Sequence, residues 1–178
     1  MTTSVRLSLL SCIIGLFIPA VLVAPGFGAD NENLTVSLNL IREIYVSVRP
    51  IDNPIVIDAG IDERLIKEMA ERQLRKAGIQ LLSQEEYNRY KMTLRYPLAR
   101  LELRLTVHEI EGMDAAIAEF RVRVMQVAFL SRRPIVQINA PSWEVQEIGI
   151  VRDSSFLEEA LKRSLDEFID DYFTANPP

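Results

Sequence analysis

The sequence has few of the residues that build disulfides, metal centres and nucleophilic active sites. It contains one cysteine, Cys12, one histidine, His108, and one tryptophan, Trp143. Because Cys12 lies in an N-terminal apolar stretch, residues 30–178 hold no thiol, which excludes disulfides, thiolate metal sites and a cysteine nucleophile there. One histidine cannot form a histidine-rich metal cluster. We therefore expect no cofactor, no metal, and stability that comes from packing alone.

Recognisable catalytic motifs are also missing. The seven glycines are scattered, so they form no phosphate-binding loop. The patterns Gly-x-Ser-x-Gly and His-Glu-x-x-His do not occur, and no Ser-x-x-Lys stands in a suitable context. We predict that the chain is not an enzyme. The alternative is a carboxylate-dependent hydrolase acting on an envelope polymer, because such an enzyme needs only two carboxylates in a cleft and the sequence has 25 acidic residues.

The N-terminal 29 residues contain no acidic side chain and a single basic one, Arg6. An apolar stretch from Leu7 to Ala24 and the small-residue segment 26–29 follow, which predicts a secretory signal peptide that is cleaved near Ala29. We expect a periplasmic or extracellular protein after cleavage. An uncleaved membrane anchor is the alternative, because 18 apolar residues approach the ~20 that span a bilayer. Lipidation at Cys12 is disfavoured, since this cysteine lies inside the apolar stretch.

Residues 30–178 are predicted to form a single domain, because no repeat and no Gly/Ser/Pro-rich linker divides them. This segment contains 19 basic and 25 acidic residues. An acidic surface argues against broad binding to nucleic acid or anionic lipid. We expect the partner to be another envelope protein or a second copy of this chain, and membrane contact only through an uncleaved N-terminal segment.

Hydrophobic periodicity predicts the order of the elements. Alternation with period two predicts strands at 34–49, 98–110, 118–129 and 136–145, with a short strand at 79–82. Helical spacing predicts helices at 62–77, before Gly78, and at 154–174, and Ser83 with Glu86 predicts a short helix through Tyr90. These elements predict an α+β two-layer sandwich, with an open, mostly antiparallel sheet of four to five strands and two main helices on one face.

Two details of the strands carry structural expectations. The apolar positions change phase after Val124, from Ala118, Phe120 and Val122 to Val127 and Phe129, which predicts a bulge near Met125. Pro141 lacks a backbone N–H and favours an edge position for the third strand of the meander.

The uncovered face of such a sheet is predicted to be rich in arginine. Its candidate partner-binding residues are Arg100, Arg104, Arg121 and Arg123, with Arg49 on the first strand. One interpretation is a docking surface for an anionic ligand or an acidic partner. The other is a ladder of ion pairs in which Glu102 and Glu119 neutralise these arginines across the strands.

Three further features have two interpretations each. Trp143, on the probable edge, could anchor a partner or cover the end of its own core. His108 near Glu109 and Glu111 could form a metal or acid/base site, but alternation places His108 opposite the others, which favours an ordinary surface histidine. The last helix ends with four acids between 166 and 171, which either face solvent, pair with arginines of the domain or serve a basic partner.

The element order and the transition Arg75–Ile79 resemble small α/β domains of bacterial envelope accessory proteins, including lipoprotein cofactors of cell-wall synthases. This resemblance implies an envelope function and transfers no site residue. We therefore predict an exported, non-catalytic domain that binds a partner or assists an envelope assembly, through the outer sheet face, the strand edge near Trp143, or both. A self-assembling subunit that uses the same edge by strand addition is a third hypothesis.

Overall fold

The computed structural model describes residues 36–51, 53, 56–57, 60–92, 98–111, 116–151 and 155–177. The predicted signal peptide lies outside these residues. In chain order the elements are β1 (Glu43–Val48), α1 (Glu63–Lys76), β2 (Gln80–Leu81), α2 (Gln84–Met92), β3 (Ala99–Glu109), β4 (Ala116–Leu130), β5 (Arg133–Val151) and α3 (Ser155–Ala175).

The five strands form one open sheet with the order β2-β1-β3-β4-β5. β1 pairs in parallel with both β2 and β3, whereas the longer β3–β4 and β4–β5 pairs are antiparallel. The α+β class, the open sheet and the element order are therefore confirmed. β5 lies at the edge of the sheet, as Pro141 predicts.

The main core lies between one face of the sheet and the helices α1 and α3. Alternate residues of β3 and β4 point into it, including Leu101, Leu103, Phe120 and Val122, and each is almost fully buried. α3 contributes the predicted apolar stripe, with buried Leu157, Ala160, Leu161, Leu165, Phe168 and Tyr172. We call this side of the sheet the inner face and the opposite side the outer face.

Local sequence signals explain where α1 begins and ends. The carboxylate of Asp62 accepts a hydrogen bond from the Leu65 N–H at 2.7 Å, so it caps the first turn. Gly78 has a φ of 88°, the left-handed conformation that commonly follows a helix. Glu63 lies in the first turn, and Arg75 and Lys76 lie in the last, so their charges also oppose the helix dipole.

The short helix α2 packs on the opposite side of the sheet from α1 and α3. Ser83 and Glu86 form the predicted capping box, in which the Glu86 carboxylate accepts from the Ser83 N–H at 2.9 Å. The Tyr87 ring stacks on Tyr45, with 4.4 Å between the ring centroids. Tyr45 alternates with the core residue Ile44 on β1, so α2 covers the outer face at β1, and no other helix of the described residues covers it at β3, β4 and β5.

The predicted first strand is too long at its N-terminal end. β1 begins at Glu43, while Val36 and Ser37 are helical and Leu38–Leu40 form a turn. The side chain of Asn176 accepts from the Leu40 N–H and donates to the Leu38 carbonyl, both at 2.9 Å. Contacts with the distant C-terminus therefore fix a turn where local alternation predicts a strand.

The predicted bulge is present, with a different consequence. The register shifts between Val124 and Met125, which pair with Trp143 and Pro141, so the additional residue is Ser142 on β5. The alternation of β4 therefore continues unbroken, and Val127 and Phe129 project to the outer side instead of the predicted core side. Val136 and Ile138, on the predicted strand 136–145, are exposed because they lie beyond the covering helices.

No helix in the described part of the chain is long and apolar enough to cross a membrane.

Candidate binding surface on the uncovered sheet face

The antiparallel register aligns side chains of the outer face in rows across β3, β4 and β5. Glu102 lies opposite Arg123, which lies opposite Glu144, and the next row joins Arg104 and Arg121 to Gln146. Beyond these, Glu119 faces Ile148 and Ile117 faces Ile150. The outer face therefore has a charged part and an apolar part side by side.

Glu102 is the centre of the charged part. Its side chain is only 2% exposed because arginines cover it, although it belongs to the solvent side of the sheet. Its carboxylate lies 2.7 Å from Arg123, 3.0 Å from Arg49 and 3.2 Å from Arg100. Burial alone would raise the pKa of Glu102, but the Arg123 hydrogen bond and the three positive charges outweigh it and lower this pKa below its ordinary value.

A second group of ion pairs surrounds Arg121. Its guanidinium lies 2.5 Å from Glu119 and 3.7 Å from Glu144, and it donates to Oε1 of the Gln146 side chain at 3.2 Å. Arg123 also reaches Glu144 at 3.9 Å, which links this group to Glu102. The arrangement agrees with the ion-pair ladder proposed from the sequence.

The ladder leaves some hydrogen-bonding capacity unused. The Nε atoms of Arg100 and Arg121 are buried and lack a hydrogen-bond partner among the described residues. Arg104 is exposed, lies directly opposite Arg121 and has no carboxylate within ion-pair distance in the described part of the chain. Among the described residues of this network five arginines thus stand against Glu102, Glu119 and Glu144, so the charged part of the outer face is positive although the chain as a whole is acidic.

The apolar part of the outer face consists of Ile117, Ile148 and Ile150, which are 41%, 45% and 65% exposed. We call these three residues the isoleucine patch. They belong to neighbouring positions on β4 and β5, so they form a contiguous surface. Sequence reasoning missed this patch because it assigned the inward residues of the last strand only as far as Val145. Continuing the alternation through residue 150 would have placed two isoleucines on the solvent side.

Trp143 lies in the core. Its side chain is 2% exposed, its ring packs edge-on against Phe168 at 5.2 Å, and its indole N–H donates to the Asp171 carboxylate at 2.8 Å. This geometry agrees with the interpretation that Trp143 covers the end of its own core. Asp171, one of the four acids near the end of α3, therefore has a hydrogen-bond partner within the domain.

His108 lies exposed at the end of β3, opposite Ile117. Glu109 alternates to the other side of the strand. Among the described residues, no group of three His, Cys, Asp or Glu side chains is arranged to hold a metal ion.

Two places bear on carboxylate chemistry. A narrow crevice between α1 and α3 is lined by apolar side chains and a single carboxylate, Glu158. Elsewhere, burial raises the pKa of Glu167 on α3, and the negative charges of Asp171 and Glu147 raise it further. Glu147 pairs with Arg163, and Asp171 accepts a hydrogen bond from Trp143. Glu147, Glu167 and Asp171 therefore lie along the contact between α3 and β5 and not in the crevice.

No protein family model matches the sequence, and no curated protein matches it. Among solved structures, two crystal forms of the PelC dodecamer from Paraburkholderia phytofirmans are similar to this chain. One has a TM-score of 0.43 at 12% identity, covering 74% of this chain and 87% of PelC. The other has a TM-score of 0.39 at 11% identity, covering 74% and 86%. Likeness at this level carries no argument about the function of this chain.

Proposed function

We propose that this protein is an exported, non-catalytic module that binds another protein through its outer face. The isoleucine patch beside the arginine network is the observation that carries the proposal. A solvated antiparallel sheet needs only polar side chains on its free face. Three large apolar side chains together, next to an arginine-rich network on the same face, have instead the composition of a protein-binding surface.

The charge of the outer face indicates the chemistry of the partner. Arg104 and the half-exposed Arg49 carry positive charge toward solvent, and Glu102 holds Arg49, Arg100 and Arg123 in fixed positions. Pre-ordered arginines lose little conformational freedom when they bind a carboxylate. An apolar surface with acidic residues around it would therefore complement this face, with the charges accelerating association.

The cellular location rests on the N-terminal sequence. The apolar stretch with its small-residue exit supports export, and the absence of cysteine from residues 30–178 allows folding without disulfides in any redox environment.

Capture from the exported fraction of the native host tests the proposal. The wild-type protein should recover a specific partner, and the variant Ile148→Asp/Ile150→Asp should lose it, because two buried charges at an interface are costly. Ile57→Asp is the matched control, since Ile57 is an equally exposed apolar residue outside the outer face. Recovery of the same partner by all three proteins would contradict the proposal.

The charged part of the outer face has a separate test. Arg104→Glu should weaken capture and make it less sensitive to salt, whereas Arg72→Glu, on the exposed side of α1, should leave it unchanged. Equal effects of the two reversals on capture would show that capture depends only on the net charge of the protein.

A carboxylate-dependent hydrolase is the second candidate, and the raised pKa of Glu167 beside Asp171 and Glu147 is the observation that favours it. It requires activity on an envelope polymer that is lost in Glu167→Gln and retained in Glu158→Gln. Equal activity of the two variants would exclude this site.

A further inference from the structure

The β4–β5 hairpin extends beyond the rest of the sheet. β3 begins at Ala99, which pairs with Gln126, so residues 127–130 of β4 and 133–139 of β5 form strand pairs with each other and with no third strand among the described residues. We call residues 127–139 the ribbon. At about 3.4 Å per residue, its β4 strand projects roughly 14 Å past β3.

The ribbon exposes more apolar surface than an isolated hairpin tolerates. Phe129 is 52% exposed, and Leu130, Val136 and Ile138 are each at least a third exposed. A two-stranded ribbon is marginally stable in water without a third layer or strand. Proteins generally cover or block such exposed edges, so the ribbon has the properties of a segment that becomes covered on assembly.

Strand addition is disfavoured as the means of covering it. Pro134 and Pro141 bracket the part of β5 that belongs to the ribbon, and neither has a backbone N–H to donate to an added strand. Contact through the side chains of the ribbon is therefore favoured over pairing along its edge.

The charged residues of the ribbon are also all basic. No acidic residue occurs from Gln126 to Ser142, and the turn at its tip presents the exposed side chains of Arg132 and Arg133. No carboxylate of the described residues lies within ion-pair distance of either arginine.

The opposite charge pattern occurs at the C-terminal half of α3. No basic residue follows Arg163, and the last turn contains none, so nothing on the helix offsets its negative C-terminal end. Asp166, Asp170 and Phe173 recur at helical spacing and form one exposed stripe. The stripe is about 10 Å long at 1.5 Å per residue, which the ribbon can cover.

We propose that the ribbon of one copy docks on the α3 stripe of a second copy. Apolar side chains of the ribbon pack near Phe173 of the second copy, and Arg132 and Arg133 pair with its Asp166 and Asp170. The two surfaces differ, so the contact is head-to-tail, and repeating it produces a closed ring or a filament. This contact uses neither the Glu102 network nor the isoleucine patch and is independent of the function proposed above.

Mass measurements of the full-length protein across a concentration series test this proposal. The wild type should form species larger than a dimer, and Arg132→Glu/Arg133→Glu should weaken the assembly at least about tenfold, as should Asp166→Lys/Asp170→Lys. A chain carrying all four reversals should assemble again, because the charges are complementary in the reversed sense. Trp143 fluorescence verifies that each variant is folded.

Mixing the two double variants gives the sharpest result. The ribbon of each variant is complementary in charge to the stripe of the other, so the mixture should form species larger than a dimer in which the two variants alternate, although neither assembles alone. A wild type that stays monomeric up to about 100 μM, reversals that leave the mass unchanged, or a mixture that assembles no better than either variant alone would each overturn the proposal. The variants Ile148→Asp/Ile150→Asp and Arg104→Glu should assemble normally, so the failure of one proposal is distinguishable from the failure of the other.

Discussion

Replacing Glu102 by Gln should destabilise the protein far more than its position on a solvent-side strand face suggests. The amide keeps the shape of the side chain and removes the charge that three arginines share. Breaking a buried ion pair by removing one partner costs about 3–5 kcal/mol. Arg49 is half exposed, and solvent screens part of the remaining repulsion, so we expect a loss of about 2–3 kcal/mol at pH 7.

Urea unfolding followed by Trp143 fluorescence measures this loss, and the melting temperature should fall by roughly 4–12 °C for a chain of this size. Glu144→Gln is the matched control. Its carboxylate lies on the same face but is 3.7 Å and 3.9 Å from its two arginines and partly solvated. We expect a change below about 0.5 kcal/mol for this variant.

The pH dependence gives the experiment a second readout. The pKa of Glu102 is lowered in the folded state, so its contribution is fully present above its unfolded pKa of about 4.3 and is lost as the pH falls through its folded pKa. The stability gap between wild type and Glu102→Gln should therefore close in acid. A gap below about 0.5 kcal/mol at pH 7, or one that does not change with pH, would refute the reasoning.

Three other predictions follow from the structure. Trp143→Phe removes the indole donor to Asp171 and leaves space beside Phe168, so it should lower the free energy of unfolding by about 2 kcal/mol in urea denaturation followed by circular dichroism. Glu167→Gln should raise stability at pH 7 by only roughly a few tenths of a kcal/mol, because the side chain is partly buried but still reaches solvent, which screens the repulsion. The gain should vanish below its unfolded pKa, since a raised folded pKa makes stability fall as pH rises. The protein recovered from the soluble exported fraction of its native host should have the intact mass of a chain that begins at Asp30.

Each of these has a result that would contradict it. Asp171→Asn keeps an acceptor for the Trp143 donor, so a loss as large as that of Trp143→Phe would show that the hydrogen bond is not the cause. A destabilised Glu167→Gln would mean that the carboxylate has a favourable partner. A full-length or lipid-shifted mass in the membrane fraction would indicate a tethered protein.

Local signals in the sequence were sufficient for the elements whose ends they determine. The Asp62 cap and Gly78 define α1, Ser83 with Glu86 defines the start of α2, and alternation identifies the three meander strands. The turn at Leu38–Leu40 could not be predicted, because Asn176 holds it from the other end of the chain. Local periodicity contains no information about such contacts.

The candidate surface could be predicted only in part, because local periodicity determines the face of a strand residue but not its tertiary contacts. Alternation alone placed the arginines of β3 and β4 on one face. The burial of Glu102 required the cross-strand register, since three strands contribute its arginines. Exposure of the ribbon depends on where β3 begins relative to β4. The placement of α2 over Tyr45 depends on a tertiary contact. Neither feature could be inferred from periodicity.

The most direct test of the proposed function is a photo-activated cross-linking side chain introduced at Ile148 in the native host. The account predicts a discrete adduct with another protein at this position and none with the same side chain at Ile57, which is also exposed but lies outside the outer face. The absence of an adduct at Ile148, or identical adducts at both positions, would contradict the claim that the outer face is a specific binding surface.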